Sequence, residues 1–134
     1  MKGWLDTVDG ERVIIDATIT PTGGGEAKPL AITNQAVGGS DFNAIAKGAT
    51  GGHGMNTVGL LVKTWGTVAS KNTGEFCITD GSGDPIRVDS TSSGTQPNIN
   101  DYVSATGICR LEKIGSDYVP FVELRQTSDW LKAE

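Results

Sequence analysis

Long apolar runs and basic residues are both scarce in this sequence. No stretch approaches the roughly 20 apolar residues of a membrane span, so we expect no membrane span. The 134 residues include 11 Lys and Arg against 16 Asp and Glu, for a formal net charge of -5. Because an acidic surface repels a phosphate backbone, this balance disfavours a dedicated DNA- or RNA-binding protein.

Residues suited to catalysis or metal binding are also sparse. His53 is the only histidine, and no thiol lies near it in the sequence, which argues against a zinc site. The glycine-rich stretch GATGGHG (48–54) lacks the GK-[ST] of a phosphate loop, and there is no GxSxG to hold a serine nucleophile. We therefore expect no enzyme active site, no metal and no cofactor.

The stretch DGSGD (80–84) places oxygen-bearing side chains at alternate positions, as a calcium-binding loop does. Counted from Asp80, the sixth position is Pro85 instead of glycine, and the twelfth is Thr91 instead of an acidic residue. The EF-hand pattern therefore fails. Because Asp-Gly and Ser-Gly between alternating apolar runs are typical of a turn, we predict a hairpin turn here.

The two cysteines, Cys77 and Cys109, lie 32 residues apart and form no CxxC motif. We expect two unpaired thiols. A disulfide is the alternative, and it requires the segments that carry the two residues to lie close together in the fold.

Glycine is abundant, at 19 residues, and it separates short runs in which apolar residues alternate. Five such runs predict strands at 59–70, 75–80, 85–90, 102–114 and 118–128. The longest gap follows the third, which is the layout of a five-stranded OB-fold barrel and makes the fold all-β. In the first three strands the inward positions are Val62, Thr64, Gly66, Val68, Phe76, Ile78, Ile86 and Val88. Short helices are predicted only at 41–48 and in the tail, 127–134.

Residues 1–58 are predicted to form an N-terminal extension that packs on the barrel of residues 59–134. It begins with a strand at 11–21, in which Val13, Ile15, Ala17 and Ile19 share one face. A second extended piece follows at 28–37, and a long glycine-rich connection at 38–58. An amphipathic strand at a terminus is an unpaired edge, so we expect it to dock on its own barrel or on a neighbour.

Four segments resemble the OB-fold domains found in tandem in large bacterial secreted or surface proteins. They are GLLVKTWGTVAS (59–70), GEFCITDGSG (74–83), DYVSATGICRLE (101–112) and YVPFVELRQTSD (118–129). Residues 28–66 are similar to the joining segment between neighbouring units, and residues 7–22 to the closing strands of a preceding unit. The resemblance implies a non-catalytic binding or assembly module of an extracellular bacterial protein. Its expected partner is another copy of itself or an adjacent domain.

The N-terminal segment MKGWLDTVDGERV has no continuous apolar core, so it does not have the pattern of a signal peptide. If the natural protein is secreted, we expect this chain to be an excised domain of it.

Six residues are candidate ligand contacts. Trp65 and Lys63 are predicted on the outer face of the first barrel strand, where OB domains bind oligonucleotides and oligosaccharides. An exposed tryptophan there can stack on a base or on a sugar ring, so single-stranded nucleic acid and glycan are both alternative ligands. The extension could instead cover Trp65 as a second small core. The full candidate set is Lys63, Trp65, Lys71, Arg87, Lys113 and Tyr118.

Overall fold

The computed structural model describes residues 1–133, and it is all-β, as predicted. Apart from two short 3-10 turns, at Asn34–Ala36 and Thr127–Asp129, its regular elements are strands. The strands are β1 Lys2–Val8, β2 Glu11–Thr18, β3 Leu30–Ala31, β4 Leu61–Asn72, β5 Glu75–Thr79, β6 Ile86–Asp89, β7 Tyr102–Ile114, β8 Asp117–Glu123 and β9 Trp130–Lys132.

Five of these strands close into a ring. β4 pairs antiparallel with β5, and β5 with β6. β6 then pairs parallel with β8, β8 antiparallel with β7, and β7 antiparallel with β4. These correspond to the five strands predicted after residue 58, in the predicted chain order, except that the fifth ends at Glu123 and not at residue 128.

The long strand β4 makes the closure possible because its two halves have different partners. Leu61–Thr67 pairs with β7, and Thr67–Asn72 pairs with β5. At the change of partner the strands approach closely: a Cβ on Gly66 would lie 2.5 Å from the carbonyl oxygen of Thr79. Only glycine fits there, and a bulge between Val68 and Ser70 accompanies the bend.

The interior of the ring is filled by alternate residues of its strands. All eight predicted inward positions are buried, from Val62 on β4 to Val88 on β6. Val103, Cys109, Val122 and Leu124 complete the core from the second half of the chain. The period-two pattern predicted the buried positions correctly, because each of these strands has one face inside the ring and one face outside.

The N-terminal extension shares this core. β3 adds to the sheet in parallel beside β4, and Val37 is buried within the core cluster. Asn34 ties the two parts together, because its amide donates to Thr64 Oγ1 at 2.7 Å and to the Trp65 carbonyl at 3.1 Å. Its side-chain oxygen accepts the N–H of Asp80 at 2.8 Å. One buried amide thus joins the extension to β4 and to the loop after β5.

The helix predicted at 41–48 is wrong. Asn43 Oδ1 accepts the N–H groups of both Ile45 and Ala46, and Asp41 accepts from the side chain of Lys47 and the N–H of Gly48. These side chains take the hydrogen bonds that a helix backbone would make, so the segment folds as a loop.

The helix predicted in the tail is also wrong. Thr127–Asp129 forms a single 3-10 turn, and Trp130–Lys132 is strand β9, paired with β7. Trp130 packs against the core, and Asp129 is held by the side chain and N–H of Arg125. A free edge on β7 and an apolar contact for Trp130 outweigh the local preference for a helix.

The DGSGD stretch lies in the loop that connects the antiparallel strands β5 and β6, as the turn prediction expected. The carboxylate of Asp80 is hydrogen-bonded within the protein. Its Oδ1 accepts from the N–H and hydroxyl of Ser82, and its Oδ2 accepts from the N–H of Asn34. Burial raises the pKa of Asp80, but these hydrogen bonds outweigh it, so the pKa is lowered from the ordinary value of 3.8.

The two cysteines are free thiols. Cys77 follows the buried Phe76 on β5 and is half-buried on the outer face, whereas Cys109 is buried inside the ring. A disulfide would require both side chains on the same side of the sheet. Burial raises the pKa of the Cys109 thiol, which keeps it protonated and unreactive.

Replacing Asn34 tests how much its side-chain amide contributes to the stability of the fold. In Asn34→Ala, Thr64, the Trp65 carbonyl and the Asp80 N–H lose a buried partner, so we expect unfolding free energy to fall by about 2–3 kcal/mol. Urea denaturation measures this loss. The adjacent Gln35→Ala is the matched control, because that side chain is exposed. Equal stabilities for the two variants would contradict the role assigned to Asn34.

The lowered pKa of Asp80 predicts how the stability of the fold changes with pH. A carboxyl whose folded pKa is depressed stabilises the fold above its unfolded pKa, and that contribution disappears as pH falls through the folded pKa. The stability difference between wild type and Asp80→Asn should therefore be largest near neutral pH and shrink below about pH 4. Thermal unfolding across this range measures it, and a difference independent of pH would contradict the assignment.

Candidate functional site

A β-hairpin precedes the rest of the fold. β1 and β2 pair antiparallel with Val8 opposite Glu11, and the connecting Asp9 and Gly10 both have positive φ, at 49° and 85°. This is the conformation that a two-residue Asp-Gly turn favours. The strand predicted at 11–21 is therefore present but shorter, and it ends at Thr18. Near that end Asp16 has a positive φ of 51°, and the register with β1 shifts by a bulge.

The hairpin is anchored to the ring at its turn. Glu11 is 6% exposed, and its carboxylate accepts from Arg110 Nε at 2.8 Å and from the N–H of Leu111. The carbonyl of Gly10 accepts the N–H of Lys47 at 3.1 Å. Gly10 also lies against the ring of Tyr118, where a Cβ would come within 2.5 Å of Cε1.

Beyond the turn, both faces of the hairpin are open to solvent. On one face Trp4, 74% exposed, stands opposite Ile15, and on the other Leu5, 64% exposed, stands opposite Ile14. An isolated two-stranded hairpin is marginal in water. Contiguous exposed apolar side chains are characteristic of an interaction site.

Charge pairing holds the anchor in place. Arg110 lies between Glu11 and Glu123, with Nη1 2.5 Å from the Glu123 carboxylate. Burial lowers the pKa of Arg110, but the two carboxylates outweigh it and the pKa is raised. The guanidinium therefore stays charged. From β7 it pairs with Glu11 of the hairpin and with Glu123 of β8, so it joins the three strands.

A second feature is a cleft of about 670 Å³ between the extension and the ring. Its walls come from four segments: the 3-10 turn region (34–37), the glycine-rich loop (49–53), the end of the β5–β6 loop with the start of β6 (83–87), and the start of β8 (117–120). The loop is fastened to β8 by two hydrogen bonds, from the N–H of Thr50 to the Tyr118 carbonyl and from the N–H of Tyr118 to Thr50 Oγ1.

Three of the six predicted contact residues lie near this cleft. Arg87 and Tyr118 line it, and Lys113 stands opposite Tyr118 with Nζ 6.0 Å from the ring centroid. The charge of Arg87 is already balanced by Glu112, 2.6 Å away, and by Glu75 at 3.8 Å, and its guanidinium covers the Phe121 ring. Arg87 Nε is buried without a hydrogen-bond partner among the described residues.

The other three predicted residues lie elsewhere. Trp65 and Lys63 are half-buried on the outer face of β4, opposite Ser104 and Thr106 of β7. Lys71, at the far end of β4, donates to the Pro97 carbonyl at 3.0 Å. The strand that carries Trp65 is separated from β6, which carries Arg87, by β5, so the two residues lie on non-adjacent strands.

Sequence reasoning missed β1 and the residues that anchor the hairpin. Part of the signal was present, because Asp9-Gly10 is a dipeptide favoured in two-residue hairpin turns. The hydrogen bond from Arg110 to the Glu11 carboxylate had no such signal, because the two residues are 99 positions apart and meet only in the folded chain.

Residues 1–133 contain no group of three or more His, Cys, Asp or Glu side chains placed to hold a metal ion. Within the same part of the chain, no helix has the length and apolar character needed to cross a membrane. No protein-family model matches the sequence, and comparison with curated proteins finds no match.

The anchor predicts that Glu11→Ala will loosen the hairpin. The variant removes one of the two carboxylate partners of Arg110 and the acceptor of the Leu111 N–H. We expect the unfolding free energy to fall by about 2 kcal/mol, less than for a fully buried pair because the Arg110 side chain is 39% exposed. Amide hydrogen exchange should accelerate at residues 2–18 more than in the core. Asp6→Ala, an exposed carboxylate on the same hairpin, is the control. Unchanged exchange in Glu11→Ala would show that the anchor lies elsewhere.

Proposed function

We propose that this chain is a non-enzymatic assembly module: an OB barrel that associates with a second copy of itself through the projecting hairpin. The observation that carries the proposal is the hairpin itself, held at its turn and exposing Trp4, Leu5, Ile14 and Ile15 along its length. Two pairs of exposed apolar side chains on one projecting hairpin are suited to an interaction site.

The strand order supports the assignment of the ring as an OB barrel. Five strands, the first pairing with both the second and the fourth, and the third pairing in parallel with the fifth, form a closed Greek-key arrangement. Residues 28–58 of the extension are consistent with a unit that has neighbours, because this segment joins the first ring strand through β3.

Association through a strand edge supplies a physical driving force. The hairpin has two outer edges whose backbone groups have no strand beside them within residues 1–133. A second copy can provide main-chain hydrogen bonds there and cover the apolar side chains at the same time. The resemblance of residues 7–22 and 28–66 to tandem units favours a repeated unit as the partner, in an extracellular bacterial protein.

Single-stranded nucleic acid is the weaker alternative. Of the four proposed cationic contacts, Lys71 donates to a backbone carbonyl and Arg87 is paired with two carboxylates. Cations committed within the protein release few counterions from a nucleic acid, and the net charge of -5 opposes its approach.

Sedimentation equilibrium over a range of protein concentrations tests the proposal. We expect wild type to self-associate, and the double variant Trp4→Ser/Ile15→Ser to shift the equilibrium towards monomer by about tenfold or more. Both side chains are exposed in the isolated chain, so the variant should fold normally.

The control is Phe42→Ser, which removes an equally exposed aromatic, 77% exposed, from the glycine-rich loop instead of the hairpin. It should associate as wild type does. A wild-type protein that is monomeric at every concentration would refute self-assembly, and equal effects of the two variants would show that the hairpin is not the specific contact.

A further inference from the structure

The cleft between the extension and the ring has no part in the assembly proposed above. At about 670 Å³ it lies within the size range of small-molecule sites, and it is formed where two parts of the chain meet, as such sites usually are. Its position also differs from the outer face around Trp65, because neither Trp65 nor Lys63 lines it.

Uncommitted polar side chains surround the cleft. The Gln35 amide, the His53 imidazole, the carboxylates of Asp84 and Asp117, and the Tyr118 hydroxyl all line or border it. Elsewhere in this part of the fold polar side chains are used internally, as in Asn34 and Asp80. These five make no side-chain hydrogen bond to another residue among 1–133, so the rim offers both donors and acceptors to a ligand.

The lining between these groups is apolar. Its apolar residues include Ile86 of β6 and Val119 and Pro120 of β8, together with Pro85, which directly precedes β6. A surface of this kind is suited to the C–H face of a ring, with polar groups at its edge to meet hydroxyls.

The charges of the cleft restrict the ligand further. Arg87 is the only Lys or Arg among the residues that line it, Lys113 lying nearby opposite Tyr118, and Arg87 is already paired with Glu112 and Glu75. Asp84 and Asp117 carry negative charge and lie outside every ion pair among the described residues. A phosphate or nucleic-acid strand would meet uncompensated carboxylates, so the electrostatics oppose an anionic ligand.

We propose that the cleft binds a neutral carbohydrate, with Asp84 and Asp117 accepting hydrogen bonds from sugar hydroxyls and the Tyr118–Pro120 segment contacting the ring. A sugar hydroxyl both donates and accepts, which matches the mixed rim. A small cation would gain little, because the two carboxylates are solvent-exposed and lie on different segments.

Backbone chemical-shift titration of the full chain with maltotriose, cellotriose and N,N',N''-triacetylchitotriose tests the proposal. We expect at least one trisaccharide to give saturable shifts at residues 49–53, 83–87 and 117–120. Asp117→Asn and Asp84→Asn should each weaken that binding by about tenfold, the loss associated with a hydrogen bond to a charged group. Both residues are exposed, so the substitutions should leave the fold intact.

Glu26→Gln is the matched control, since it removes an exposed carboxylate that does not line the cleft, and it should bind as wild type does. No saturable shift with any of the three sugars would overturn the proposal. So would shifts confined to the face around Trp65, or salt-sensitive shifts of the cleft residues by oligo-dT. The hairpin variant Trp4→Ser/Ile15→Ser should bind sugar normally, so failure of this proposal and failure of self-assembly are distinguishable.

Discussion

The double pairing of β4 is the constraint on which the structure depends. One strand pairs with β7 through its first half and with β5 through its second, and this closes five strands into a ring. Closure leaves the interior accessible to only one face of each strand, which explains the strict alternation of buried and half-buried residues from Leu61 to Val68. It also requires the close approach at Gly66.

Closure also determines where the extension can attach. β3 finds its edge beside β4, and Asn34 then reaches Thr64 inside the ring and Asp80 in the β5–β6 loop. The glycine-rich loop that follows is held against β8 by Thr50. The cleft is the space left between these two attachments, so its shape depends on the extension and the ring together.

The outer surface is organised by two arginines among carboxylates. Arg87 lies between Glu75 and Glu112, and Arg110 between Glu11 and Glu123. The two arginines lie on the outer faces of β6 and β7. The half-exposed pairs with Glu75, Glu112 and Glu123 contribute modestly to stability, whereas the carboxylate of Glu11 is buried. These ion pairs also commit both arginines to carboxylates within the protein, and the pair of Arg110 with Glu11 anchors the hairpin.

Local patterns in the sequence determined the all-β class, the five ring strands, their order and the inward residues, since each depends on alternation over a few neighbours. Local preference misled at 41–48 and in the tail, where Asn43 and Trp130 make contacts that no window of sequence contains. Three features were decided only by the tertiary structure: the anchor between Glu11 and Arg110, the cleft, and the placement of Trp65 and Arg87 on non-adjacent strands. Each depends on distances between residues far apart in the chain, which are set by how the ring closes and not by the residues themselves.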